Sequence, residues 1–122
     1  ANPMKRLLFI ISAAPYSNKR GTAQLDAAMV AAAFDAEVSL MFSGDGIYSL
    51  LPNQSAHAID QRAFSKVLGA LSDYEVNQLY VCSESLANRG IVLSDLMPVQ
   101  PLDLSAQQTL IATQDAVIGA AL

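Results

Sequence analysis

The chain has 122 residues, which is enough for one domain with a buried core and too few for two such domains. A formal net charge of −4, with the seven Lys and Arg residues scattered along the sequence, argues against direct binding to nucleic acid or to an anionic membrane. Because 52% of the residues are hydrophobic and only 15% are charged, we expect another chain to cover part of the apolar surface.

The counts of cysteine and histidine limit the chemistry further. The single cysteine excludes an internal disulfide, and with a single histidine it leaves no recognisable set of metal ligands, so no metal is expected. No apolar run reaches the roughly 20 residues of a membrane span, and the run at residues 7–11 is too short for a secretion signal, so we expect a cytoplasmic protein. Residues 1–3 precede Met4 and are interpreted as a remnant, which leaves a single domain over residues 4–122.

The first strand and the first helix are predicted from two apolar segments. Residues 6–12 form a continuous run without alternation, which is typical of a strand buried on both faces. The segment that follows contains Pro15 and Tyr16 and predicts a loop at the carboxyl end of this strand, where both residues would line a site. Residues 23–34 predict an alanine-rich helix that is apolar around its circumference, which indicates burial on more than one side and a subunit interface.

A second strand is predicted over residues 37–42, and it ends at a Ser-Gly-Asp-Gly turn. Within this turn, Asp45 either orients a ligand or caps the short helical turn predicted at residues 47–51, and Gly46 is a further candidate for lining the site. His57 lies in a polar loop and has no second ligand or acid partner near it in sequence. We therefore expect His57 to be solvated despite a pKa that suits catalysis.

The only cysteine, Cys82, follows the third predicted strand, residues 79–81, and precedes a short helix over residues 83–89 that Gly90 closes. A thiol at such a junction lies near unpaired helix N–H groups, and these can lower its pKa from ~8.5 to roughly 3.5–7.5. Cys82 is therefore a candidate nucleophile or sulfur carrier, with Ser83 lining the same site. The alternative is that Cys82 is a small buried hydrophobe, the usual role of a lone cysteine.

The remaining segments predict two further helices and two further strands. Helical spacing of apolar residues predicts an amphipathic helix over residues 60–71. Residues 97–100 predict a weak edge strand because prolines interrupt it, and residues 116–119 predict the last strand. Ser105 begins a predicted capping box for a helix over residues 106–113.

The alternation of strands and helices predicts a flavodoxin-like three-layer α/β domain, with about five mainly parallel strands and helices on both faces. Right-handed crossovers would place the loops that follow the first three strands at one edge of the sheet. Cys82, Asp45 and the loop around Pro15 are therefore expected to share one cleft.

Other chemistries lack their motifs. Neither a GxGxxG nor a GxxxxGK[ST] segment follows the first strand, so neither a dinucleotide nor a P-loop site is predicted. A flavin-phosphate loop would have to use Ser12, Ser17, Gly21 and Thr22, and the proline and basic residues of that segment suit it poorly. A hydrolase would need a histidine held by an acid beside its nucleophile, which the single histidine does not support. No cofactor is expected.

Several segments, taken together, resemble the DsrE/DsrF-like sulfur-relay family and, within it, the TusC/DsrF branch. They are residues 14–16, 21 with 25–27, 45–46, 50–54 and 81–90. The last two, Leu-Leu-Pro-x-Gln and Val-Cys-x-x-Ser-Leu-x-x-Arg-Gly, are the more specific. The sequence departs from the family pattern at Tyr16, Ser17, Gln24 and Asn53, which affects the local backbone more than the fold.

The resemblance implies the three-layer fold and a place in a TusBCD-like or DsrEFH-like heterohexamer, with TusB/DsrH-like and TusD/DsrE-like partners. Such complexes pass persulfide sulfur to a downstream acceptor protein, toward the 2-thio group of tRNA wobble uridine or in sulfur oxidation. Cys82 matches the position of the persulfide-carrying cysteine of the TusD/DsrE subunit. Three interpretations remain: a non-catalytic auxiliary subunit, which we favour; a sulfurtransferase subunit with Cys82 as carrier; and a small-ligand or flavin-binding domain.

Overall fold

The computed structural model describes residues 5–12, 27–28, 30–34, 36–50, 78–95 and 99–119. Five strands form one sheet in the order β4-β3-β2-β1-β5. They are β1 (Arg6–Ile11), β2 (Glu37–Phe42), β3 (Gln78–Cys82), β4 (Gln100–Leu102) and β5 (Ala116–Ile118). Every pairing between neighbours is parallel, so the predicted parallel sheet of about five strands is confirmed.

The helices with described bounds lie after β2, β3 and β4. They are a 3₁₀ helix at Gly44–Leu50, α1 (Ser83–Arg89), a short 3₁₀ helix at Leu93–Asp95 and α2 (Leu104–Ala112). Residues 27–28 and 30–33 are helical and confirm part of the predicted alanine-rich helix. Gly90 closes α1 in the left-handed conformation, as predicted. The predicted loop with Pro15 and Tyr16, His57 and the predicted helix at 60–71 lie outside the described residues.

The sheet is buried on both faces, because successive residues of β1 point to opposite sides. Phe9 and Ile11 belong to one core cluster, which the alanine-rich helix, the first 3₁₀ helix and α1 cover through Ala28, Ile47 and Leu86. Leu8 and Ile10 of β1 point the other way and belong to a second cluster, against which α2 packs. Helices therefore cover both faces, and the predicted three-layer arrangement is confirmed.

The strand order explains why α2 lies alone among the described helices on its face. Strands β1 to β4 are added successively in one direction, whereas β5 lies on the other side of β1. A right-handed connection that runs back across the sheet must use the opposite face. This return places α2 over the second core cluster and brings its first turn near the end of β3.

The bounds predicted for the fourth strand are wrong. The strand lies at Gln100–Leu102 rather than at residues 97–100, and Pro101 occupies its centre opposite Val81. Proline is tolerated because β4 is an edge strand, with a neighbour on one side only. The prolines thus predicted the edge position correctly, while the exact residues are set by pairing with β3.

The capping box predicted at Ser105 is also wrong. Asp103 is the N-cap of α2, and its Oδ1 accepts a hydrogen bond from the N–H of Ala106 at 2.8 Å. Ser105 lies inside the helix, where its carbonyl accepts from the Thr109 hydroxyl. Asp and Ser side chains can both cap a helix, and because β4 ends at Leu102, α2 begins early enough for Asp103 to be the cap.

This difference gives a direct test of the cap. Asp103→Ala should lower the free energy of unfolding by about 1 kcal/mol, because it leaves a helix N–H group without its partner. Ser105→Ala is the matched control, since its exposed side chain does not cap α2 and alanine favours a helix interior. Urea unfolding followed by circular dichroism measures both. An equal loss in the two variants would contradict the assignment of the cap.

Candidate functional site

The carboxyl ends of β1, β2 and β3 meet at one edge of the sheet, as parallel strands require. The N–H of Ser43, just after β2, donates to the carbonyl of Ile11 at the end of β1 at 3.0 Å. The N–H of Gly44 donates to Oγ of Ser85 on α1 at 2.9 Å. The segments that follow the second and third strands are therefore joined at this edge, which is where ligands collect in open α/β sheets.

Cys82 lies at this edge as the last residue of β3 and the N-cap of α1. Its backbone is extended, with φ −73° and ψ 118°, and its side chain forms no capping hydrogen bond of good geometry. Cys82 is a free cysteine and is only 7% exposed. The predicted position at the strand-to-helix junction is confirmed, and the sulfur is at the same time a buried atom.

Two opposing effects act on the pKa of the Cys82 thiol. Burial raises the pKa, because it disfavours the charged thiolate. Hydrogen bonding to the sulfur from the Ser85 side chain and N–H, the Gln107 side chain and the Glu84 N–H lowers the pKa, and the net result lies below the ordinary value of a thiol. The sulfur therefore has polar surroundings that a purely hydrophobic role would not require.

Ser85 and Gln107 are the residues around the sulfur that sequence reasoning did not single out. Ser85 is buried and lies three residues after Cys82 in the first turn of α1. Gln107 lies on α2, and its Nε2 donates to the carbonyl of Leu102 at 2.9 Å. Leu102 pairs with Cys82 across β3 and β4, so this bond holds the amide at the carboxyl end of these two strands. Ser85 could have been found from sequence, because it lies three residues after Cys82 in the same predicted helix. Gln107 could not, because it lies on a different helix and no motif surrounds it.

Asp45 forms an ion pair with Arg89 at the far end of α1. Its Oδ1 accepts from Nη2 of Arg89 at 2.9 Å and from Nε at 3.2 Å. Arg89 also donates from Nη1 to the carbonyl of Ser85 at 3.3 Å. The Asp45 side chain is 62% exposed, so the pair is worth at most about 1 kcal/mol. Its main effect is to link the turn after β2 to α1.

Gly46 owes its identity to close packing. A Cβ atom on Gly46 would lie 1.9 Å from the carbonyl oxygen of Ile11, which is far inside van der Waals contact. Ser83 is half-buried in the first turn of α1, directly after Cys82. Four of the predicted site residues, namely Cys82, Ser83, Asp45 and Gly46, thus lie at the same edge of the sheet. Pro15 and Tyr16 lie outside the described residues.

In the part of the chain that the structure describes, no group of three or more His, Cys, Asp or Glu side chains is placed to hold a metal ion. Among the same residues, no helix is both long and apolar enough to cross a membrane.

The lowered pKa of Cys82 predicts how the stability of the protein depends on pH. Between the lowered pKa of the folded chain and the ordinary pKa of the unfolded chain, the unfolded chain holds a proton that the folded chain has released, so the free energy of unfolding rises with pH. The contribution is complete above the unfolded pKa and is lost as pH falls through the folded pKa. Denaturant unfolding of the wild type and Cys82→Ser at about pH 6 and about pH 9.5 measures it. A stability difference between the two that does not grow in favour of the wild type would contradict the shift.

Comparison with known proteins finds one matching family and relatives at about one-third identity. The model of the DsrE/DsrF-like family matches residues 5–119. "Protein TusC homolog" of Vibrio parahaemolyticus is 34% identical over 94 residues, which cover 77% of this chain and 80% of the relative. "Protein TusC" of Escherichia coli is 31% identical over 117 residues, covering 94% and 98%. "Intracellular sulfur oxidation protein DsrF" of Allochromatium vinosum is 31% identical over 105 residues, covering 86% and 77%.

Two solved structures share the fold at low sequence identity. The ychN protein from E. coli superposes with a TM-score of 0.76 at 17% identity, over 95% of this chain and 99% of that one. A protein from Methanobacterium thermoautotrophicum superposes with a TM-score of 0.62 at 17% identity, over 88% of both chains. These likenesses support the α/β fold and carry no argument about activity.

Proposed function

Because the chain belongs to the DsrE/DsrF-like family, we propose that it is a subunit of a cytoplasmic sulfur-relay complex. Relatives named TusC and DsrF cover most of its length, and the name of the Allochromatium relative places that protein in intracellular sulfur oxidation. Its partners would be TusB/DsrH-like and TusD/DsrE-like subunits in a heterohexamer. The sulfur would leave through a downstream acceptor protein, toward 2-thiolation of tRNA wobble uridine.

The observation that carries the subunit role is an exposed apolar face on the alanine-rich helix. Val30 and Phe34 are one helical turn apart and are 57% and 82% exposed. Exposed apolar side chains that lie next to each other are typical of a surface that a partner covers. The net charge of −4 also favours a protein acceptor over direct contact with RNA.

The burial of Cys82 favours an auxiliary role over that of the main sulfur carrier. A carrier sulfur must be reached by a donor and then by an acceptor, and Cys82 is only 7% exposed. The lowered pKa is the specific observation that favours the second candidate, in which Cys82 carries sulfur. In that step the Cys82 thiolate attacks the outer sulfur of a donor persulfide; a new S–S bond forms on Cys82, and the donor leaves as a thiolate with the electron pair of the broken S–S bond.

Intact mass spectrometry of the persulfide-loaded complex tests the two roles. The auxiliary role predicts that the mass of one sulfur atom appears on a partner chain and not on this one. A gain on this chain that disappears in Cys82→Ser would instead establish it as a carrier, since it has one cysteine. The purified chain should be colourless, and flavin absorbance would support the ligand-binding interpretation in place of both.

Co-purification with the two partner subunits tests the interface. Phe34→Asp should weaken assembly and leave the fold intact, because the side chain is mostly in solvent. Val92→Asp is the control, since Val92 is 57% exposed and lies away from the alanine-rich helix in sequence. Assembly at wild-type strength in Phe34→Asp would remove this helix from the interface. A wild-type chain that stays monomeric with both partners present would contradict the subunit role itself.

A further inference from the structure

We draw no further inference here: the strongest candidate, the exposed apolar surface of Val30 and Phe34 on the alanine-rich helix and of Ile118 on the edge strand β5, carries nothing beyond the subunit contact already proposed, because nothing in the described part of the structure shows what covers it.

Discussion

Gly46→Ala should lower the free energy of unfolding by roughly 3–5 kcal/mol, a loss near the upper end for single substitutions. The added Cβ would lie 1.9 Å from the oxygen and 2.7 Å from the carbon of the Ile11 carbonyl, and both are backbone atoms of a central strand. Neither can move without breaking the pairing of β1 with β2. Because Gly46 is not among the described glycines with positive φ, the effect is steric. Denaturant unfolding followed by circular dichroism, which suits a chain without tryptophan, measures it.

Gly90→Ala is the matched control for this prediction. Gly90 has a φ of +63°, and a Cβ there would meet nothing within 4 Å. The substitution therefore costs only the left-handed conformation of a residue with a side chain, about 1 kcal/mol. The prediction for Gly46 is wrong if the two variants lose similar stability.

Phe42→Ala should cost about 3–5 kcal/mol, the second large effect that we expect. Phe42 is fully buried at the end of β2, in the core cluster that the alanine-rich helix, the first 3₁₀ helix and α1 cover. Removing the ring takes away apolar contacts and leaves a cavity. The surrounding residues belong to the sheet and its covering helices, so they cannot move far enough to fill the cavity. The same unfolding experiment measures the loss.

Phe34→Ala makes the same chemical change at a solvent-exposed position. Since the Phe34 ring is 82% exposed, the stability of the isolated chain should change by no more than about 0.5 kcal/mol. A loss comparable to that of Phe42→Ala would mean that the ring is covered within the chain itself. In the proposed complex, Phe34 would instead contribute to association.

The elements that could be predicted from sequence are those whose pattern is local. Strands β1 and β2 are continuous apolar runs because both of their faces are buried, and their predicted bounds agree with the structure within one residue. The edge strand β4 has three residues and contains proline, so its position depends on what β3 offers for pairing. The cap of α2 followed from the end of that strand and was missed for the same reason.

In the candidate site, too, the residues that could be predicted are those whose position depends on the neighbouring sequence alone. The position of Cys82 follows from a strand that runs directly into a helix, and it was predicted. The partnership of Asp45 with Arg89 joins residues 44 positions apart, and no local signal distinguishes it from capping or ligand binding. Gln107 lies at the same edge as Cys82 only because α2 starts just after β4, and the position of β4 depends on its pairing with β3.

The two margins of the sheet constrain how copies of the protein meet. Strands β4 and β5 have three residues each, and Pro101 deprives β4 of one N–H donor. A strand from another chain could form only a short hydrogen-bond ladder with either edge of the sheet. Edge-to-edge association of chains into fibrils is therefore disfavoured. Crowded chains should consequently associate through side chains on their helices, and such contacts can be remodelled by surface substitutions without disturbing the backbone hydrogen bonds of the sheet.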